Sequence, residues 1–156
     1  MRYWLFKSEP NTFSIDDLAH SPKQTEHWDG VRNYQVRNML RDEMKKGDKA
    51  FFYHSSCAEP GVVGVIEIVK EAYPDFTAWD ISSDHYDVKS PAETPRWLMV
   101  DVKLIKKFTR FISLTEMRKI PKLKQMQILR RGNRLSITPV TIEEWNTILQ
   151  LAEKYI

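Results

Sequence analysis

Short strand-like runs that largely fail to alternate with helices constrain this chain's fold more than any other feature. Residues 3–7, 50–54, 61–69 and 96–105 are each short and rich in aromatic or β-branched side chains, the composition of strands. The last alternates in part, with Leu98, Val100, Val102 and Leu104 on one side. Residues 134–138 read as a further strand before Pro139. One long helical pattern interrupts them. Val36, Leu40 and Met44 recur at i, i+4 and i+8 with Met39 beside them, predicting a helix over residues 33–46 that Gly47 ends. Shorter helices are predicted after Ser14 with Asp17, after Ser113 with Glu116 and after Thr141 with Glu144, each pair spaced as a capping box. Residues 73–95 read as an ordered loop over the sheet. The expected class is α+β, with a curled mixed sheet or small barrel of about five to seven strands and surrounding helices.

Composition narrows the setting. At 156 residues, 42% hydrophobic and 29% charged, the chain can bury a core without disulfides or metals, and a single domain over residues 1–156 is expected. The lone Cys57 has no internal partner, which suits a reducing compartment. No apolar run approaches the ~18 residues of a membrane span, and the N-terminus lacks a signal-peptide pattern. The expected location is cytoplasmic, or nuclear in a eukaryote, with no membrane partner and a monomeric state. Charge is unevenly spread. Residues 102–134 hold eleven Lys or Arg against one acid, whereas residues 59–101 hold nine acids against three bases. Basic clustering of this kind favours a polyanion, although a solvated face would carry the same charges.

The stretch Trp28-Asp29-Gly30-Val31-Arg32-Asn33-Tyr34 is the densest functional signal. Rings offer flat faces and neighbouring polar groups offer fixed hydrogen bonds, a combination suited to a planar polar ligand such as a nucleobase. Its glycine turn leads into a helix N-terminus, where free amides can receive an anionic oxygen. Arg32 and Arg37 here, with Lys106, Lys107, Arg110, Arg130 and Arg131 in the basic third, are the candidate phosphate contacts. Signals for catalysis are weak. Cys57 near His54 lacks an evident oxyanion hole, and His20, His27 and His85 form no ligand spacing for a metal. Asp16-Asp17 and Glu143-Glu144 are explained by first helical turns. No catalytic residue, metal or cofactor is expected.

Six segments carry a resemblance: YWLFKSEP at residues 3–10, FSIDDL at 13–18, residues 28–38, FFYHS at 51–55, VKEAYPD at 69–75 and RLSITP at 134–139. In that order they resemble the EVE domain, a branch of the PUA-like superfamily, and a chain beginning at the domain resembles its bacterial form. The resemblance implies a barrel-like sheet with a cleft that reads modified DNA bases such as 5-methylcytosine and 5-hydroxymethylcytosine. The implied pocket draws on Lys7, Ser8, Glu9, Trp28, Gly30, Val31, Asn33, Tyr53, His54 and Ser55. Tyr73, Pro74, Asp75, Arg134, Leu135 and Ser136 are implied nearby. Trp28 and Tyr53 are expected to offer two stacking faces. Residues 24–27 are assigned no role.

Three other readings stay open at this point. Modified RNA is an alternative ligand, since PUA-like folds often serve RNA. An enzyme acting on a modified nucleotide, with Glu9 or His54 as acid or base, is another. A sensor for a small base-like molecule is the third.

Overall fold

The computed structural model describes residues 1–90 and 96–153. Residues 91–95, inside the expected loop, and the last three residues lie outside the described part. Among the described residues six strands form one sheet: β1 (Tyr3–Ser8), β2 (Thr25–Trp28), β3 (Lys49–His54), β4 (Gly61–Pro74), β5 (Leu98–Ser113) and β6 (Ile137–Val140). Their order is β2-β5-β4-β3-β1-β6. β1 and β3 run parallel and every other pair is antiparallel. The α-helices among the described residues are α1 (Ile15–Ala19), α2 (Tyr34–Asp42), α3 (Leu114–Arg118) and α4 (Ile142–Glu153). The class is α+β with a mixed, curled sheet.

Strand alternation divides the core into two apolar clusters, one on each face of the sheet. Trp4 and Phe6 of β1, and Ala50 and Phe52 of β3, point into the first. Leu5, Phe51 and Tyr53 point into the second. Ile15 and Leu18 of α1 and Val36, Met39 and Leu40 of α2 cover the first face. Met117, Leu123, Met126 and α4 cover the second. There the Trp145 ring stacks on both Phe51, at 4.0 Å, and Tyr3, at 4.5 Å.

The sheet bends around the first cluster. Three strands separate β2 from β1 in the order, yet the rings of Trp28 and Phe6 lie 5.1 Å apart. Repeated register shifts between β4 and β5 supply this curvature, because each bulge adds local twist. Gly64 sits at the tightest point. A Cβ there would overlap the Lys106 carbonyl and the Ile15 side chain, so glycine lets α1 lie flat on the strand.

The local signals place most elements, with informative departures. Ser14 and Asp17 form the expected reciprocal cap, and so do Thr141 and Glu144. Ser113 accepts from the Glu116 amide at 3.0 Å. α2 stops at Asp42 instead of reaching Lys46. Past that point the chain turns around buried Asp48, which accepts from the Trp4 indole (3.1 Å) and the Lys45 amide (3.0 Å). Gly47 completes the turn at φ +96°. β4 extends to Pro74, so Tyr73 and Pro74 belong to a strand end paired with Met99 and Leu98. β2 has no apolar alternation in the sequence and becomes a strand by pairing with β5. β6 starts at Ile137, which leaves residues 134–136 in the approach to it.

Candidate functional site

A cavity of about 570 Å³ opens where the two ends of the sheet order meet. Lys7, Ser8 and Glu9 at the end of β1 form one side, with Ser136 just ahead of β6. Glu26, His27 and Trp28 of β2 form the other, continued by Asp29, Gly30 and Val31. Thr12, Phe13 and His85 complete the lining.

Each side is fixed by backbone hydrogen bonds. The Lys7 amide donates to the Ser136 carbonyl at 2.8 Å, joining β1 to the approach of β6. The Thr12 and Phe13 amides both donate to the Glu9 carbonyl at 2.9 Å, folding the chain back after β1. The Ser8 hydroxyl donates to the Phe13 carbonyl at 2.6 Å. Phe13 is thereby held with its ring 6.2 Å from Trp28 and nearly perpendicular to it.

The opposite side depends on one buried carboxylate. Asp75 accepts from the Gly30 amide (2.9 Å), from Arg32 (3.0 Å) and from the Thr77 amide and hydroxyl (2.9 and 2.5 Å). Burial by itself would push its carboxyl up, but these donors and the Arg32 charge outweigh it and hold the group below its ordinary value. Arg32 also donates to the His85 carbonyl, and the His85 ring pairs with Asp29 at 3.1 Å. The His85 ring rests on Gly30. A Cβ at Gly30 would come within 2.6 Å of that ring, and the residue has φ +83°, so glycine is required twice over.

Polar groups around the void are mixed in sign. Glu9, Glu26 and Asp29 are acidic, and Lys7 is the cation, its pKa lowered by burial. His27 pairs with Glu26 at 2.8 Å and meets Phe76 edge-on at 5.1 Å. Donors and acceptors therefore face one ligand-sized space, within the roughly 300–1,000 Å³ typical of small-ligand sites. Among the described residues, no group of three or more His, Cys, Asp or Glu side chains is arranged to hold a metal. No helix among them is long and apolar enough to cross a membrane.

The expected pocket set divides in two. Lys7, Ser8, Glu9, Trp28, Gly30, Val31 and Ser136 line the cavity. Tyr53 does not: it sits one position from Phe52, and strand alternation sends it into the second cluster on the far face. Burial there pushes its phenol up to about 12. Trp28 and Tyr53 thus do not face each other, and Trp28 is itself only 8% exposed. Its ring packs against Phe6, Phe13 and Phe52, so it is a core residue that borders the void.

Asn33 caps α2, accepting from the Val36 amide at 3.1 Å. His54 accepts the Ile15 amide at 3.1 Å and supports α1, and burial lowers its pKa. The Ser55 amide donates to the Ser8 carbonyl at 3.0 Å. Tyr73 donates to Asp101 at 2.5 Å, with its phenol pushed up by burial and by that bond. Pro74 is exposed at the strand end and Asp75 acts behind the glycine turn. Arg134 is exposed and Leu135 packs partly on the first cluster.

The candidate phosphate contacts also divide. Arg32 is committed to Asp75 and His85, and Arg37 donates to Asn38 and to the Arg96 carbonyl. Arg37 also lies 4.8 Å over Tyr34, which stacks on Trp97 at 4.8 Å. Lys107 pairs with Asp16 at 2.5 Å, and Arg130 donates to the Gln125 carbonyl at 3.2 Å. Lys106, Arg110 and Arg131 are exposed on the surface.

Thr12, Phe13, Glu26, His27, Asp29 and His85 line the cavity without having been assigned there. Asp29 lay within the aromatic-polar motif and was the most accessible of them to sequence reasoning. Glu26 and His27 would have followed from recognising β2.

The fold and cleft define a class: an α+β domain whose curled mixed sheet leaves a ligand-sized cavity at its seam. The YTH domain of Zygosaccharomyces rouxii MRB1 shares this fold at a TM-score of 0.57 and 14% identity, over 97% of this chain and 86% of that one. Residues 2–151 match the EVE domain model, and the chain belongs to the EVE domain family. Human thymocyte nuclear protein 1 is 48% identical over 169 residues, spanning 97% of this chain and 74% of the relative. The human THYN1 protein, solved in complex with 5-methylcytosine-containing DNA, superposes at a TM-score of 0.92 with 47% identity, covering 98% of each chain. A Pseudomonas putida protein superposes at 0.91 with 44% identity, over 96% of this chain and 99% of that one.

Proposed function

We propose that this domain is a non-enzymatic, monomeric nucleic-acid-binding module that receives a modified base of DNA, of the 5-methylcytosine or 5-hydroxymethylcytosine type, in the cavity beside Trp28. The observation that carries the reading is the position of that mixed-polarity cavity in a chain nearly half identical to a human protein solved with 5-methylcytosine DNA. Lys7, Glu9, Asp29, His27 and Ser136 supply donors and acceptors for the edge of the base, while Phe13 and Trp28 border it.

Energetics favours recognition through polar contacts. Unstacking a base costs a few kcal/mol, and stacking on one aromatic face returns about 1–3 kcal/mol. With Tyr53 on the other face of the sheet, hydrogen bonds must supply the balance. Cytosine offers an amino donor that a carboxylate such as Glu9 or Asp29 accepts. One buried methyl contributes about 0.8 kcal/mol, roughly a fourfold preference. A hydroxyl read by a dedicated partner discriminates far more strongly. Hydroxymethylated cytosine is therefore expected to be preferred over methylated cytosine.

The test is titration of the purified chain with oligonucleotides that differ in one base at fixed salt. The expected order is hydroxymethylcytosine, then methylcytosine, then cytosine. Equal affinity for all three overturns the reading. Turnover of the modified base, lost in Glu9→Gln, would replace it with an enzyme.

A further inference from the structure

Nine large hydrophobic side chains are exposed among the described residues, and five of them, Phe76, Trp79, Ile81, Tyr86 and Val88, fall in one segment of loop. Clustered exposed apolar surface of this kind marks an interaction site more often than chance. The segment also contains His85, which lines the cavity, and Phe76, which touches cavity-lining His27. The segment that carries these apolar side chains therefore also borders the cavity.

The two most exposed of these residues are displayed in the same way. Asp80 opens a turn in which the Ser83 amide donates to its carbonyl at 2.9 Å and the Ser82 amide to its carboxylate at 2.9 Å. Asp87 opens a second, with the Ser90 amide on its carbonyl at 3.1 Å and the Lys89 amide on its carboxylate at 2.9 Å. In such Asx turns the aspartate side chain bonds the chain's own backbone two residues on and fixes the corner's main chain. The corner residues are Ile81, 82% exposed, and Val88, 76% exposed. Asp87 is anchored further by the Trp97 indole at 2.6 Å. The loop's aspartates at 80 and 87 are therefore turned onto its own groups, and Asp84 is the exposed acid between them.

We propose that Ile81 and Val88 form the apolar wedge that enters the base stack of a duplex when a base moves into the cavity. This rests on the cavity reading above and adds the strand state: the ligand is a base drawn from duplex DNA. A vacated stack leaves apolar base faces exposed to water, and apolar side chains inserted between base steps fill that role in proteins that kink or open DNA. Two hydrogen-bonded turns suit it because a corner already closed on itself loses less loop entropy on insertion.

The experiment compares the native chain with the Ile81→Ser/Val88→Ser variant. Both are titrated with a duplex carrying one 5-methylcytosine and with the same modified strand unpaired. Because both side chains are exposed, the variant should melt like the native chain. The expected result is a loss of about tenfold on the duplex and less than about twofold on the single strand, since only the duplex must be opened. An equal loss on both substrates, or none on the duplex, overturns the wedge and leaves the cavity reading standing. A native chain without preference for the modified base in either strand state overturns the cavity reading and the wedge together.

Discussion

Two indoles, Trp145 and Trp28, occupy opposite faces of one sheet and are almost equally hidden, at 4% and 8% exposed. Their surroundings differ. Trp145 stacks nearly parallel with Tyr3 and Phe51, under α4, within a cluster of aliphatic side chains. Trp28 meets Phe6, Phe13 and Phe52 at near right angles and borders a cavity edged by charged groups. Burial alone therefore does not separate a ring enclosed in the core from a ring that borders a cavity. What separates them is whether the neighbouring volume is filled by the chain or left open.

Replacing each in turn is the sharpest way to test that contrast. Trp145→Ala should cost the most stability, about 4 kcal/mol in denaturant titration, because nothing can refill the stack. Any fraction that stays folded should keep its preference among modified bases. Loss of that preference in a folded Trp145→Ala chain would break the division between the two faces.

Asp75→Ala comes next, at about 3 kcal/mol, because it strands the Arg32 charge and the Gly30 amide. A linked pH effect follows. The folded carboxyl titrates below its ordinary value, so its stabilisation is complete above the unfolded pKa and is lost as pH falls through the lower folded one. Melting temperature measured between pH 6 and pH 2 should fall less steeply in Asp75→Asn than in the native chain. Parallel curves would remove Asp75 as the anchor of the glycine turn.

Gly30→Ala should cost about 1–2 kcal/mol, from the positive φ and the collision with His85. Its effect on binding should exceed its effect on stability, because His85 is displaced from the cavity. NMR shifts of the His85 ring would report this directly. The smallest effect is expected for Lys106→Gln. Stability should be unchanged, while affinity for every sequence drops alike and the salt slope flattens by about 1. A loss confined to modified sites would instead tie Lys106 to the cavity.

The contrast also shows what was legible from residues alone. Elements with a local cause were accessible: the periodic stripe of α2, the Ser14 and Thr141 caps, and the β-branched run of β4. β2 was not, because Thr25-Glu26-His27-Trp28 has no apolar alternation. It becomes a strand through pairing with Thr25 opposite Lys103 and Trp28 opposite Val100 on β5. That single omission hid Glu26 and His27 from the cavity and made Trp28 look like a loop residue. Tyr53 was misplaced for a different reason. The four central residues of β3 are all buried, so alternation in the sequence does not mark which face each turns to, and a one-residue step decides it. His85 could not have been found locally, since its partner Asp29 lies 56 positions away.

Because β2 and β1 approach through rings and not through a shared ladder, the mouth between them has no main-chain rung holding it shut. Its gauge is set by whichever side chains stand at positions such as Thr12, Glu26 and Ser136. On the proposed reading, exchanging those side chains should narrow or broaden what is admitted while every strand keeps its register. Selectivity, on that reading, is therefore adjustable separately from the frame that carries it.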